Sequence, residues 1–341
     1  MAELITVANN DWLDFVSKQE NANIFHHPAW AELLSDCYGY RPSLLALQNG
    51  DGFMAAGLPV LDVNSRLTGH RAVSLPFSDF CPPLGENIAT LVRELKAWRT
   101  QNRWPQILVH WPLPEGDGVF PGEITARHIT QLDPDPQVVF RKFKRTQVQQ
   151  PIRQAEKAGV VIRRGEGWED VRLFCGLHLQ TRRRLGTPAQ PLRFFRLLWE
   201  RLIAQGLGFV MSAYQGEQLL AGAVFLHWNK TLVYKYSASD PQYWCLRPNN
   251  LLLWHAIQWG CEHGYEVFDW GKTDIGNEGL RDFKRGWGSE EQLLHYTILA
   301  DQEPAAKISS GRSQLLLKTV IQHSPAWVCR LIGELLYSHF A

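Results

Sequence analysis

Residues 209–237 read FVMSAYQGEQLLAGAVFLHWNKTLVYKYS, and this stretch decides the architecture. Three short runs rich in Val, Leu, Phe and Tyr occupy 209–214, 219–228 and 231–237. Gln215-Gly216-Glu217 and Asn229-Lys230 separate them. β-branched and aromatic runs of this length predict strands, and such short turns join neighbours antiparallel, so the stretch predicts a three-stranded meander. Amphipathic spacing over 250–263 predicts a helix next, and 266–270 predicts a further strand.

The first half of the chain repeats this order. Runs at 43–48, 53–63 and 71–75 predict strands, with Asn49-Gly50-Asp51-Gly52 as the first turn. A helix over 86–101 and a strand over 106–111 follow. An Ala-Gly pair at 56–57 recurs at 221–222, and a closing Trp at 111 recurs at 270, at nearly the same offset. Helical spacing precedes each meander, at 10–20 and 28–37, then at 168–184 and 191–205. Helix, helix, meander, helix, strand resembles the order of the GNAT acyltransferase fold. That resemblance implies a splayed mixed sheet whose parted central strands hold an acyl donor by main-chain groups. It also implies a helix that aims its N-terminus at the donor's phosphates.

The expected class is therefore α/β (α+β), with tandem GNAT-like domains. Each would be a mixed, mostly antiparallel sheet flanked by helices, and a helical tail would follow. The expected bounds are 1–140 for the first domain, 141–303 for the second, which carries the chemistry, and 304–341 for an amphipathic tail. The join, near 138–159, follows Asp133-Pro134-Asp135-Pro136, which interrupts regular structure.

Composition narrows the function. The chain has 341 residues, long enough for two cores at ~150 residues per domain. Hydrophobic residues make up 45% and charged residues 20%, a globular balance. A net charge of +1 excludes a polyelectrolyte binder as a whole, so DNA is not an expected partner and any phosphate site must be local. The 14 Trp read as bulky core filler before they read as sugar-stacking platforms. The start, MAELITVANNDWLDF, lacks the basic and apolar regions of a signal peptide, and no run of 18 apolar residues occurs. The six cysteines form no CxxC, which reads as reduced thiols. A cytoplasmic chain is the expectation. The histidines lack metal-ligand spacing, so no metal site is expected, and no Gly-x-Ser-x-Gly elbow supports a hydrolase.

The chemistry concentrates in Phe268-Asp269-Trp270-Gly271-Lys272-Thr273-Asp274 and Gly279-Leu280-Arg281-Asp282-Phe283-Lys284-Arg285-Gly286-Trp287-Gly288. The reading is a strand that ends at Gly271 and opens into a loop of acids, bases and glycines. Lys284 would stabilise negative charge developing on an acyl carbonyl, and Asp269 or Asp274 would accept a proton from an attacking amine. A solvated loop with locally paired charges is the competing reading. Cys245-Leu246-Arg247-Pro248-Asn249-Asn250 opens the second-half helix. Pro in the first turn, Asn as a cap and the fixed charge of Arg247 could together hold a phosphate, or could simply be capping. The Gly-rich pyrophosphate loop of acetyl-CoA-dependent GNAT enzymes is absent at this point.

Two further stretches are candidates for contact with partners. Residues 141–164 carry eight Lys or Arg, Arg145 and Arg153 among them, against Glu156, and Arg182-Arg183-Arg184 lies beyond. Such a strip could receive a polyanion such as tRNA or a sugar pyrophosphate, or be a solvated helix face. The tail has helical spacing broken at Pro325, with Lys307, Arg312, Lys318 and Arg330 against Glu334. It reads either as a helix packed on the body or a partner, or as a membrane-surface helix at the inner membrane.

Several stretches resemble the FemAB-like branch of the GNAT superfamily, in particular its members found with exosortase/PEP-CTERM and exopolysaccharide systems. They are Phe25-His26-His27-Pro28-Ala29-Trp30, Ser74-Leu75-Pro76-Phe77-Ser78, Ile152-Arg153-Gln154-Ala155-Glu156-Lys157-Ala158-Gly159, Leu185-Gly186-Thr187-Pro188, the strand end Phe268 to Gly271, and Phe283 to Gly288. The resemblance implies transfer of an acyl or aminoacyl group to an amine of a glycan, peptidoglycan or exopolysaccharide precursor. It assigns Phe283-Lys284 to the tRNA acceptor end and catalysis in relatives that use aminoacyl-tRNA. The chain departs from those relatives in lacking a long coiled-coil arm and in having Gln149-Gln150-Pro151 before Ile152. Acyl-CoA and aminoacyl-tRNA both stay open as donor substrates, and no permanently bound cofactor is implied. A catalytically inactive binding or scaffold protein of an envelope assembly system is the alternative, since duplicated domains can keep the fold and lose the chemistry.

Overall fold

The computed structural model describes residues 2–5, 10–304 and 311–339. Two compact units divide the chain: Met1–Thr125 with Leu293–Ile308 and Ser338–Ala341, and Ala126–Gln292 with Ser309–Tyr337.

The first unit starts with β1 (Ala2–Ile5), α1 (Asn10–Ser17) and α2 (Pro28–Tyr38). Its meander is β2 (Arg41–Gln48), β3 (Met54–Ser65) and β4 (Gly69–Val73), paired antiparallel in sequence order. The two-residue β5 (Leu84–Gly85) pairs with β3. After α3 (Ile88–Gln101), β6 (Gln106–Val109) returns parallel to β4. The His27 side chain accepts from the Ala29 N–H and starts α2, with Pro28 in its first turn. His26 is buried and bonded to the Pro82 carbonyl and the Asn23 N–H.

Long β7 (Val119–Gln131) leads into the second unit, where α4 (Pro136–Arg141) and α5 (Gln150–Lys157) flank a π-helical turn over Arg145–Gln149. Regular structure is interrupted at residues 132–135 as expected, and Asp135 caps α4 there by accepting from the Gln137 N–H. Next come β8 (Val161–Gly165), α6 (Trp168–Leu185), α7 (Leu192–Arg201), and the antiparallel β9 (Gly208–Gln215), β10 (Gln218–Trp228) and β11 (Thr231–Ser239). Then α8 (Pro248–Glu262) brings β12 (Val267–Asp274) back parallel to β11. The repeat read from the sequence is thus present in both units: meander, helix, parallel return. α9 (Glu278–Arg285), β13 (Glu290–Ala300), α10 (Gly311–His323) and α11 (Ala326–Leu336) complete the chain.

The division is not linear along the sequence. Within the first unit β6 pairs antiparallel with the end of β13, Val109 opposite Thr297. Within the second, the end of β7 lies beside β12. Each sheet is therefore finished by a strand from the other end of the sequence, and the boundaries fall inside β7 and β13 rather than near 140 and 303. The second unit's core is aromatic: Phe209, Phe225, Phe268, Trp254, Trp270 and Trp287 are buried together. Burying each such phenylalanine contributes roughly 2–3 kcal/mol before entropy. Among the described residues, no helix is long and apolar enough to cross a membrane.

Candidate active site

β11 and β12 are paired with each other over a short ladder only: Thr231 with Val267, Leu232 with Phe268, Val233 with Asp269. Past that point the two strands part, although both continue. Two local irregularities drive the parting. The register of β10 against β11 shifts between Val224 and Phe225, which sets an extra residue, Lys235, into β11 and sharpens its twist. In β12, Gly271 sits at φ +67, a left-handed conformation that glycine adopts at no steric cost.

α9 covers the gap from the β12 side. The expected loop after Gly271 is not there; β12 runs on to Asp274 and the Asn277 side chain caps α9 by accepting from Leu280. Lys284, on α9, is 3% exposed. Its ammonium donates to the carbonyls of Trp270 at 2.7 Å, Gly271 at 3.0 Å and Lys272 at 3.4 Å. An ammonium has three donors. Lys284 is thus bonded to the β12 main chain. The Arg281 side chain braces α9 through Glu291, which its hydrogen bonds hold below the usual carboxylate range.

Asp269 is fully buried and accepts from the Gly271 N–H at 2.8 Å and from Arg127 at 2.8 and 2.6 Å. Asp269 is thus held by a guanidinium on one side and a main-chain amide on the other. Asp274 is exposed where β12 ends, and its carbonyl accepts from Asn277.

The cavity lies on the β11 side of the parting and has a volume of about 420 Å³. Tyr234, Ser237 and Ser239 of β11, Thr181 and Arg184 of α6, Trp244, and the first turn of α8 line it. Four expected residues, Phe283, Arg247, Asn249 and Asn250, come together there. Gly271, Asp269, Asp274, Lys284, Arg145 and Arg153 are not among the lining residues. Arg145 is exposed on the π-helical turn, and Arg153 lies over the Phe140 ring at 6.0 Å. Much of the basic strip is answered locally: Lys144 by Asp282, Arg163 by Glu217, Arg164 by Glu166.

The entrance to α8 is built for an anion. Arg247 holds a left-handed backbone at φ +57, rare for a residue with a Cβ and a form of strain that collects at functional sites. Pro248 starts the helix, and its first turn, Pro248 to Asn250, lines the cavity at the positive end of the helix dipole. Arg184 adds a second guanidinium, stacked over the Trp244 ring at 4.8 Å. Tyr234 is pushed up to about 12 by burial and stays a neutral phenol. Trp244 and Thr181 carry no signal in the sequence, and Arg184 stands out there only as part of the basic triplet 182–184; nothing local shows that the end of α6 meets the start of α8.

A family model described as an acetyltransferase (GNAT) domain matches residues 142–285. No curated protein matches the chain. Among solved structures, FemX is 16% identical with a TM-score of 0.70, covering 92% of this chain and all of that one. The L-PGS structure from Bacillus licheniformis is 13% identical with a TM-score of 0.56, covering 94% and 98%. A tandem GNAT protein from the clavulanic acid biosynthesis pathway is 11% identical with a TM-score of 0.56, covering 90% and 100%. At these identities the likeness is one of fold. Residues 142–285 thus match the model of an acetyltransferase (GNAT) domain, and the chain shares its fold with FemX and with a tandem GNAT protein.

Proposed function

We propose that this FemAB-like, tandem GNAT chain is an N-acyltransferase that moves an acyl or aminoacyl group onto an amine of a cell-envelope glycan, peptidoglycan or exopolysaccharide precursor, with transfer in the cleft of the second unit. The observation that carries the reading is the parting of β11 from β12 beside the N-terminus of α8, with Arg184 and Arg247 at its mouth. A donor with a phosphate at one end and an activated carbonyl at the other matches that cleft. The phosphate meets the helix end and the two guanidiniums. The carbonyl lies along β11, where main-chain dipoles stabilise the oxyanion. The amine nitrogen attacks the carbonyl carbon, the C–S bond of a thioester or C–O bond of an aminoacyl ester breaks, and an amide forms. The described lining residues include no carboxylate or imidazole, and the amine's proton passes to the leaving thiolate or ribose oxygen. Lys284 is a positioning residue that holds the shape of β12.

Acyl-CoA and aminoacyl-tRNA share the required chemistry, and both belong to the cytoplasm, where we place the reaction. Purified protein offered each donor with amino-sugar and precursor amines should give an amide product, detected by mass, with one of them. Tight binding of a glycan precursor without turnover of any donor would instead identify a binding module.

A further inference from the structure

The cavity of the second unit has a length as well as a volume, and both of its ends are marked. One end is where β11 leaves β12. Their ladder stops at Val233, and Tyr234, the next residue, lines the cavity. The other end is at Ser239, whose hydroxyl accepts from the Trp244 indole at 2.9 Å, with the Arg184 guanidinium over that ring. At ~3.3 Å per strand residue, the run from Tyr234 to Ser239 covers roughly 16 Å.

The Ser239 end carries charge that nothing answers. Arg184 and Arg247 both line the cavity, and neither is ion-paired among the described residues. The main chain adds little. Pro248 has no N–H, and the Arg247 carbonyl takes the N–H groups of Asn250 at 3.1 Å and Leu251 at 3.5 Å, which leaves that of Asn249 in the first turn. One N–H and two guanidiniums suit a single phosphate group better than a pyrophosphate.

The charge continues outside the cavity. α5 borders this entrance, because the Gln154 side chain donates to the Cys245 carbonyl at 3.0 Å, two residues ahead of Arg247. Along α4 and α5, Arg141, Lys142, Arg145, Arg153 and Lys157 are exposed and have no ion pair among the described residues. Lys144 is answered by Asp282, and Glu156 is the acid of residues 141–157.

We infer that the acyl donor is a thioester on the phosphopantetheine arm of an acidic carrier protein. The inference rests on the transferase reading and names its donor. The thioester carbonyl sits where β11 and β12 part, the phosphodiester meets Arg184 and Arg247, and the carrier's acidic face lies on the α4–α5 surface. Length selects the arm. A ribose ester holds its carbonyl only a few bonds from the nearest phosphate, too close to occupy both ends. A phosphopantetheine arm has two amide units between sulfur and phosphate and reaches about as far as five residues of extended chain, ~16 Å. The outside charge selects the carrier over coenzyme A, which brings a pyrophosphate and whose nucleotide is too small to cover a surface of two helices. The amine nitrogen attacks the thioester carbon, the C–S bond breaks and an amide forms. The amine's proton passes to the departing thiolate, which leaves the carrier with a free thiol.

Isothermal titration of the full chain against an acyl carrier protein of fatty-acid synthesis tests this without turnover. The holo form, whose arm ends in a free thiol, should bind about tenfold or more tightly than the apo form and than coenzyme A. That advantage should shrink as salt is raised. Arg141→Glu/Lys157→Glu, at exposed positions, should bind the holo carrier about tenfold more weakly, with coenzyme A binding and the thermal melt unchanged. With an acetyl group on each thioester and amino-sugar acceptors, the carrier should give more amide than coenzyme A at equal concentration. Equal binding of holo carrier and coenzyme A, of holo and apo carrier, or of variant and parent overturns the inference. So does transfer from aminoacyl-tRNA in preference to the carrier. Tight binding of the holo carrier with no product from any donor would instead end the transferase reading and leave the carrier site standing.

Discussion

The Lys284 ammonium lies 2.7 Å from the carbonyl oxygen of Trp270, with the Gly271 carbonyl at 3.0 Å, and is shielded from solvent. One cation thus gathers carbonyls of β12 where that strand leaves its neighbour. Removing it would strand those acceptors in a buried site.

Lys284→Met should therefore lower stability by about 3 kcal/mol or more, and activity should fall with it. Thermal melts alongside kinetics decide the point. A variant that melts like the parent yet has lost turnover would return Lys284 to the chemistry.

Arg247 combines a charge with a left-handed backbone, and the two can be separated. Arg247→Gly relaxes the backbone and removes the charge; it should raise the donor KM roughly ten- to hundredfold, the worth of a charge-assisted hydrogen bond, with a smaller effect on kcat. Arg184→Ala should act in the same direction. An unchanged donor KM in both would dissociate the helix end from the donor.

The Arg127–Asp269 pair is buried, so breaking it from one side leaves a bare charge. Arg127→Met should cost about 3–5 kcal/mol in urea denaturation. Adding Asp269→Asn should restore part of the loss, since a neutral amide is cheaper to bury than a carboxylate. If the double variant is no better than the single, the pairing carries little of the energy.

His178 is lowered to about 4 by burial against its ordinary value of 6.5, and His26 in the first unit is lowered to about 4 by the same cause. Between those values the unfolded chain binds more protons than the folded one. Stability therefore rises with pH through this window and is lost as pH falls from 6.5 toward 4, by at most about 3 kcal/mol per histidine. His178→Gln and His26→Gln should each flatten that acid limb, as measured by urea midpoints at pH 7 and 5. A limb as steep in both variants as in the parent would locate the acid sensitivity elsewhere.

Local signals in the sequence determined most of the architecture. Alternating and β-branched runs, turn residues at 49–52 and 215–217, and the recurrence of Ala-Gly and Trp marked both meanders and their return strands, because strand and turn preferences are properties of a few adjacent residues. Phe283, Arg247, Asn249 and Asn250, which line one cavity, were legible for the same reason: capping chemistry and a resemblance motif are short. The flanking strands β7, β8 and β13 were not, since their exposed polar positions, such as Glu123 and Arg163, blur the apolar alternation. Nor was the exchange by which β13 completes the first sheet, which depends on pairing residues nearly two hundred positions apart. The partners of Lys284 and Asp269 were decided only by tertiary structure. Sequence shows that a lysine or an aspartate is present. Whether it meets a substrate, or a buried carbonyl and a guanidinium, depends on where distant strands bring its partners.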